Sequence, residues 1–424
     1  MPGDRDVFRA PNGTHDVLPP ESDRWLAFVA AFAMRARRAN FDLLVTPIFE
    51  HVEVVQKLGS STDAVSKEMY DFLDKGGRQL ALRADGTASV ARSFAQHQPV
   101  TPWKVWYVAP NFRYERPQKG RYRQHWQVGV EVLGVDDASV DVEVIALADG
   151  FYRRDLGLQH LRLLVNSMGD TETRGRYRDV LLRYWHDHAA LIGDDMTRAE
   201  ANPLRILDSK REDWQTMIDA APQIGDYLTD AAAADFEMVQ AGLRALGIDF
   251  EIAPRLVRGL DYYTGTTFEF QSAALDAAQN AVGGGGRYDG LVEQMGGKPT
   301  PGIGFGIGIE RGLIACDAEG VFAAPDASVD VFVIDAVGGL ASLTLVAELH
   351  NAGLSADRAY GGRSVKKQWG AADRAGARWG VMLAPRELAE GKVVVKEMAS
   401  GEQSEVSREE IAAWLTMREE ETPR

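Results

Sequence analysis

The sequence predicts an α+β protein: an antiparallel sheet with flanking helices, a helical insertion, and a separate C-terminal α/β domain. Three observations carry this reading. Residues 106–134, WYVAPNFRYERPQKGRYRQHWQVGVEVLG, form two alternating runs joined by a basic loop. Trp106, Val108, Pro110 and Phe112 alternate with Tyr107, Ala109, Asn111 and Arg113, and Val128, Val130 and Val132 alternate with Gln127, Gly129 and Glu131. That period-two pattern marks half-buried antiparallel strands. Residues 169–247 instead are rich in Ala, Arg and Asp at helical spacing, with few strand signals. Beyond a linker at 324–326, strands at 329–334, 380–383 and 393–395 and a helix at 340–352 make a compact module of their own.

In chain order, residues 11–21 (PNGTHDVLPPE) are turn-rich, and Pro19 and Pro20 stand where a helix tolerates proline, at its start. Trp25, Phe28, Val29 and Phe32 then form a buried helical stripe, and the helix is expected to end near Asn40. Residues 41–50 (FDLLVTPIFE) read as one strand. Pro47 cannot donate to a central ladder, so the strand belongs at an edge or an interface. Residues 67–83 read as a hairpin turning at Lys75, Gly76 and Gly77. It delivers Asp85 and Thr87 to the start of a helix over 87–96, where both are candidate caps. A helix over 136–156 and a strand over 161–167 follow. After the helical segment, Thr266, Phe268 and Phe270 alternate with Thr267 and Glu269 as a strand. Tyr262 and Tyr263, being adjacent, are expected to point differently.

Two glycine-rich strings come next. GGGGRYDG (283–290) lacks the Lys-Ser/Thr of a P-loop and the strand–GxGxxG–helix spacing of a dinucleotide fold. In GIGFGIGIER (302–311), Gly302, Gly304, Gly306 and Gly308 share one strand face and Ile303, Phe305 and Ile307 the other. A glycine-paved face lets a flat ring lie directly on backbone. Arg311 opens the following helix, where a guanidinium can stack on a base and fork toward phosphate oxygens.

The polar strand face of 106–134 would carry Arg113, Gln127 and Glu131 around the gap at Gly129, an arrangement suited to a small polar ligand. Arg116, Lys119, Arg121 and Arg123 fill the loop. In a chain of 424 residues with net charge −15, that local positive excess points to phosphates. The acidic balance argues against sequence-blind nucleic-acid binding but leaves room for local RNA contacts. The length implies two or three domains. A single cysteine, Cys316, excludes a disulfide framework and fits a reducing, cytoplasmic setting. No apolar leader and no span of eighteen or so apolar residues is visible, so no membrane partner is expected. No metal site can be read from the residues.

FRYERPQKGRYRQ followed by GVEVLG resembles the second signature motif of class II aminoacyl-tRNA synthetases, in the form found in the histidyl-tRNA synthetase family. RGLDYY (258–263) resembles that family's own string, 41–50 its first motif, 302–311 its third, and the C-terminal module its anticodon-binding domain. The resemblance thus covers nearly the whole chain in the expected order. It implies a class II sheet divided as 1–168 and 248–324 around the insertion 169–247, with the anticodon-binding domain at 328–424. It further implies a homodimer that joins L-histidine to tRNA(His) through histidyl-adenylate, using ATP with Mg²⁺. Arg258 and Arg113 would be the catalytic cations. Asp85, Thr87, Gln127, Glu131, Tyr262 and Tyr263 would bind histidine, with Glu131 and Tyr263 on the imidazole. Arg113, Arg311, Gly304 and Gly306 would bind ATP, and Arg116, Lys119, Arg121 and Arg123 the tRNA. The family's usual form has proline–glutamate where this chain has Ala84 and Asp85, an acid shorter by one methylene. A catalytically silent regulatory paralogue that binds histidine is the alternative; it should lack several of these arginines and the terminal domain.

Overall fold

A computed structural model describes residues 7–57, 59, 65, 67–207, 209, 211–256, 262–276, 280–325 and 328–421. The chain divides into two compact units, Met1–Ala324 and Pro325–Arg424. The described strands of the first unit are β1 (Asp42–Leu43), β2 (Phe49–His51), β3 (Asp71–Leu73), β4 (Gln79–Leu82), β5 (Trp103–Phe112), β6 (Gln124–Leu133), β7 (Leu161–Ser167), β8 (Glu251–Ile252), β9 (Thr264–Ser272), β10 (Ala281–Arg287) and β11 (Gly302–Gly308). Eight of them form one sheet in the order β1-β5-β6-β11-β10-β9-β7-β8. The six central strands are antiparallel, as the alternation predicts, while β1 and β8 pair parallel to β5 and β7 at the two edges. The sheet is therefore mixed. Each parallel edge is only two residues long, too short to leave a periodic signal.

One face of the sheet packs on helices. Phe28 and Phe32 of the helix Glu21–Arg38 meet Trp106, Val128, Val130, Val132, Phe268, Phe305 and Ile307 in a single buried cluster. Residues 139–155 add Ile145 and Phe151 from a helix that ends in a wider π-helical turn. The other face is partly covered by a second cluster, in which Ala88 and Ala91 of the helix Gly86–His97 pack with Tyr107, Tyr262, Tyr288 and Leu291.

The segment 41–50 differs from the single strand expected. It makes β1 and β2, with an irregular stretch around Pro47 between them. Buried Arg83 braces that stretch, donating to Thr46 Oγ1 at 2.8 Å and to the Pro110 carbonyl at 2.7 Å. The hairpin prediction for 67–83 corresponds to β3 and β4, with Asp74 accepting from Gly76 N and Arg78 N in the turn.

The helical segment has a core of its own, from Met168 and Tyr177 through Trp185, Trp214 and Ile224. Its last helix, Asp230–Ala245, belongs elsewhere. Val239 and Leu243 sit in the sheet's cluster, and a side chain at Gly242 would strike Val142 Cγ2 at 2.7 Å. The self-contained helical core is thus shorter than the stretch 169–247.

The second unit is a five-stranded sheet in the order β13-β12-β14-β15-β16: β12 (Val331–Asp335), β13 (Ala356–Arg358), β14 (Trp379–Leu383), β15 (Lys392–Glu397) and β16 (Gln403–Ser407). The helices Ala341–Asn351 and Ile411–Glu421 cover one side and Val365–Arg374 contributes to the other. Among the described residues, no helix is long and apolar enough to cross a membrane.

Three glycines of β10, Gly283, Gly285 and Gly286, are required by distance rather than by conformation. A side chain at Gly285 would overlap the carbonyl oxygen of Gly304 and meet Phe305 Cβ at 2.7 Å. Gly285→Ala should therefore destabilise the first unit by about 2 kcal/mol or more, in the range of overpacked cores. A thermal melt showing a Tm equal to wild type would refute the close packing of β10 on β11.

Candidate active site

The site face of the sheet is built around a buried acid. Glu131 lies on β6 opposite Gly304 of β11 and is 0% exposed. Its Oε1 accepts from Thr87 Oγ1 at 2.7 Å and its Oε2 from the Tyr288 hydroxyl at 2.6 Å. Burial pushes its carboxyl up to about 8, against the pull of those hydroxyls. Thr87 is held in turn by Asp85, the N-cap of the helix Gly86–His97, whose Oδ1 accepts from Thr87 N at 2.7 Å and Ala88 N at 3.2 Å. Burial raises the Asp85 carboxyl above its ordinary value, opposed by Arg113. Tyr107 completes the floor. Its ring occupies the space that side chains at Gly86 and Gly129 would need. The gap at Gly129 is thus filled by protein and not left for a ligand.

Beside this network opens a cavity of about 350 Å³. Arg113, Arg121 and Arg311 line it with Gln127, His125, Tyr122, Glu115, Glu269 and Glu310, and Gly306 and Gly308 form part of its floor. Each cation is fixed. Arg113 Nε donates to the Ala84 carbonyl at 3.0 Å, Arg311 to the carbonyls of Gly120 and Ala281 at 2.9 Å, and Arg121 pairs with Glu115 at 2.6 Å. Gln127 is oriented by Asn111, whose amide donates to Gln127 Oε1 at 2.5 Å. Burial, with Arg113 and Arg311 nearby, pushes the His125 imidazolium down to about 3, so the ring is neutral at ordinary pH. Burial raises the Glu310 carboxyl to about 7, and both of its oxygens face Trp126 N at 2.9 and 3.1 Å. Fixed cations around a cleft next to a recessed acid can hold a multiply charged anion and a small polar group side by side.

A family model for histidyl-tRNA synthetase matches residues 13–311, and one for an anticodon-binding domain matches residues 332–418. A histidine–tRNA ligase of Rhodococcus erythropolis is 47% identical over 412 residues, covering 96% of each chain. The chain belongs to the histidyl-tRNA synthetase family. A histidine–tRNA ligase of Geobacillus thermodenitrificans is 46% identical over 427 residues, covering 98% of this chain and 100% of that one. Among solved structures, apo histidyl-tRNA synthetase of S. aureus matches with a TM-score of 0.83 and 34% identity, over 96% of this chain and 100% of that one. A Bacillus halodurans chain described as an ATP phosphoribosyltransferase regulatory subunit/histidyl-tRNA synthetase shares the fold at a TM-score of 0.60 and 22% identity.

The structure brings most of the expected family residues to one region and revises how several sit there. Arg113, Gln127, Arg121, Arg311 and Gly306 line the cavity. Gly304 does not pave it, because a side chain there would collide with Glu131 Oε2; its role is to make room for the acid. Gly302 likewise accommodates the Tyr288 ring. Tyr262 and Tyr263 do not diverge: their rings lie 4.7 Å apart, tilted by 48°, against the second cluster. Arg123 stacks at 3.8 Å over the Tyr114 ring, whereas Arg116 and Lys119 are exposed. Arg258 lies outside the described residues. Tyr288, which donates to Glu131, and Tyr107, which fills the space at Gly129, are residues that the sequence pattern does not single out. Tyr288 stands inside GGGGRYDG, which matches neither a P-loop nor a dinucleotide fold, and Tyr107 falls within a plain strand alternation. Among the described residues, no group of three or more His, Cys, Asp or Glu side chains converges to hold a metal.

The folded pKa of Glu131, about 8, lies above the ordinary 4.5, so the fold favours its protonated form. That contribution is complete below the unfolded value and is lost as pH climbs through about 8. Glu131→Gln has no proton to lose. Its Tm should accordingly gain on wild type from pH 5 to 8, and a difference constant across that range would show that Glu131 titrates as an exposed acid.

Proposed function

We propose that the chain is a histidine–tRNA ligase that converts L-histidine and ATP to histidyl-adenylate and pyrophosphate, then transfers the histidyl group to the 3′ end of tRNA(His). The observation that carries this reading is the fixed arginine cavity abutting buried Glu131, in a chain matched nearly end to end by histidine–tRNA ligases. In the first step the histidine carboxylate attacks the α-phosphorus and pyrophosphate leaves. In the second, the ribose hydroxyl of the terminal adenosine attacks the adenylate carbonyl and AMP leaves. Both steps need alignment and preorganised positive charge more than covalent help from protein.

Arg113 fits contact with the α-phosphate and the substrate carboxylate, and family resemblance gives Arg258 the companion role. Arg311, with the open floor at Gly306 and Gly308, suits the ATP end. Mg²⁺ would come bound to ATP's phosphates. At the recessed end, an imidazole N–H presented to Glu131 adds a third donor to those of Thr87 and Tyr288 and favours the ionised carboxylate. Tyr263, packed beside Tyr262, would meet the other ring nitrogen. Thr87 gives its proton to Glu131 and keeps lone pairs for the substrate ammonium, with Asp85 and Gln127 as further acceptors. Exposed Arg116 and Lys119 would reach acceptor-stem phosphates, and the second unit would bind the anticodon. The apolar side chains of Val45, Ile48, Phe49 and Leu73, 46–81% exposed, suit a homodimer interface. We place this work in the cytoplasm, where the lone buried cysteine would stay reduced.

ATP–pyrophosphate exchange with each of the twenty amino acids, without tRNA, should proceed with histidine alone. A folded chain that binds histidine but exchanges with nothing would instead be the regulatory paralogue. Glu131→Gln should raise the histidine KM about tenfold or more, the worth of one charge-assisted hydrogen bond; an unchanged KM removes Glu131 from imidazole recognition. Arg116→Ala and Lys119→Ala should each lower the slope of log tRNA affinity against log salt by about one, and unaltered slopes would take these residues off the RNA.

A further inference from the structure

The turn that precedes the first helix holds the loop that lines the cavity. Thr14 N and Thr14 Oγ1 both donate to the Pro11 carbonyl, at 3.0 and 2.7 Å, closing a tight turn. Gly13 sits at φ +85°, a backbone state that favours glycine. The carbonyl of Gly13 accepts from Arg123 N at 2.8 Å. A side chain at position 13 would strike Arg123 Cγ at 2.7 Å and Pro117 Cγ at 3.0 Å. Two residues on, the His15 ring lies 4.5 Å from the Tyr122 ring, tilted by 43°. Arg121 and Tyr122 belong to the basic loop and line the cavity from its other side, with Gly120 pinned by Arg311. The loop is therefore clamped at Arg311 and again at the turn 11–15.

We propose that residues 11–15 are a positioning element for the nucleotide half of the site, acting through Arg123 and Tyr122 and touching no substrate themselves. This rests on the reading of the cavity as an ATP-binding site. The turn fixes the base of the loop, and the loop presents Arg121 and Tyr122 to the triphosphate or base. The recessed end at Glu131 draws its hydrogen bonds from Thr87 and Tyr288. Perturbing the turn should consequently weaken ATP selectively.

The test is ATP–pyrophosphate exchange with wild type, Gly13→Ala, His15→Ala and His15→Phe, with thermal melts of each. ATP KM should rise roughly three- to tenfold in His15→Ala, the worth of one ordinary loop contact, while histidine KM and kcat stay within about twofold. His15→Phe, which keeps a ring against Tyr122, should restore the ATP KM. Gly13→Ala should show the same selective loss. If its strained backbone prevents folding, His15→Ala decides, because that side chain is exposed. An unchanged ATP KM in His15→Ala, equal rises in the ATP and histidine KM values, or no recovery in His15→Phe would each overturn the proposal. A wild-type chain without exchange would overturn the ATP reading as well, whereas a working wild type with unaffected variants overturns the brace alone.

Discussion

The carboxyl of Glu131 occupies the volume that a side chain at position 304 would fill, and both its oxygens accept hydrogen bonds from outside β6. An acid buried without partners costs several kcal/mol, so the surroundings must supply both space and donors. Space comes from glycine on the neighbouring strand. The donors come from two separate places, the first turn of the helix Gly86–His97 and the residue that follows β10. The antiparallel register of β6 and β11 sets Glu131 opposite Gly304, and a slip of one residue would place the acid against Ile303 or Phe305. The aromatic residues around it, Tyr107, Tyr262 and Tyr288, keep this end of the site dry.

The cavity next door follows a different rule. The chain carries net charge −15, yet three arginines share this cleft, each tied to a backbone carbonyl or a carboxylate. Such cations are oriented before a ligand arrives and spend little on reorganisation. The neutral imidazole of His125 lines the same cleft near Arg113 and Arg311 without adding repulsion.

The alternation in 106–134 made the β5–β6 pair and its site face legible, because period-two burial is written residue by residue. The sidedness of Arg113, Gln127 and Glu131 followed directly. What the alternation could not show was that Tyr107 fills the gap at Gly129, since that depends on ring orientation across a strand pair. The four glycines of β10 were opaque for a similar reason. Glycine is a poor local strand signal, and its justification lies in backbone and side-chain atoms brought close by the fold, such as the Gly304 carbonyl against Gly285. The strand break at Pro47 was half legible: proline announced an irregularity, but Arg83 determines its shape. Resemblance supplied the names of residues, and geometry separated those that line the cleft from Gly304 and Gly302, which make room for Glu131 and Tyr288.

Asp85, Thr87, Glu131 and Tyr288 form one continuous line of hydrogen bonds, running from a helix cap to a recessed acid. Aspartate is among the strongest N-caps, and its short side chain is what lets it close on Thr87 N and Ala88 N. In this chain the short acid anchors the helix that carries Thr87. Substitutions along this line are therefore epistatic: a longer acid at position 85 would change the cap, the setting of Thr87 and the polarity felt by Glu131 together, and its effect could not be summed from those of its neighbours.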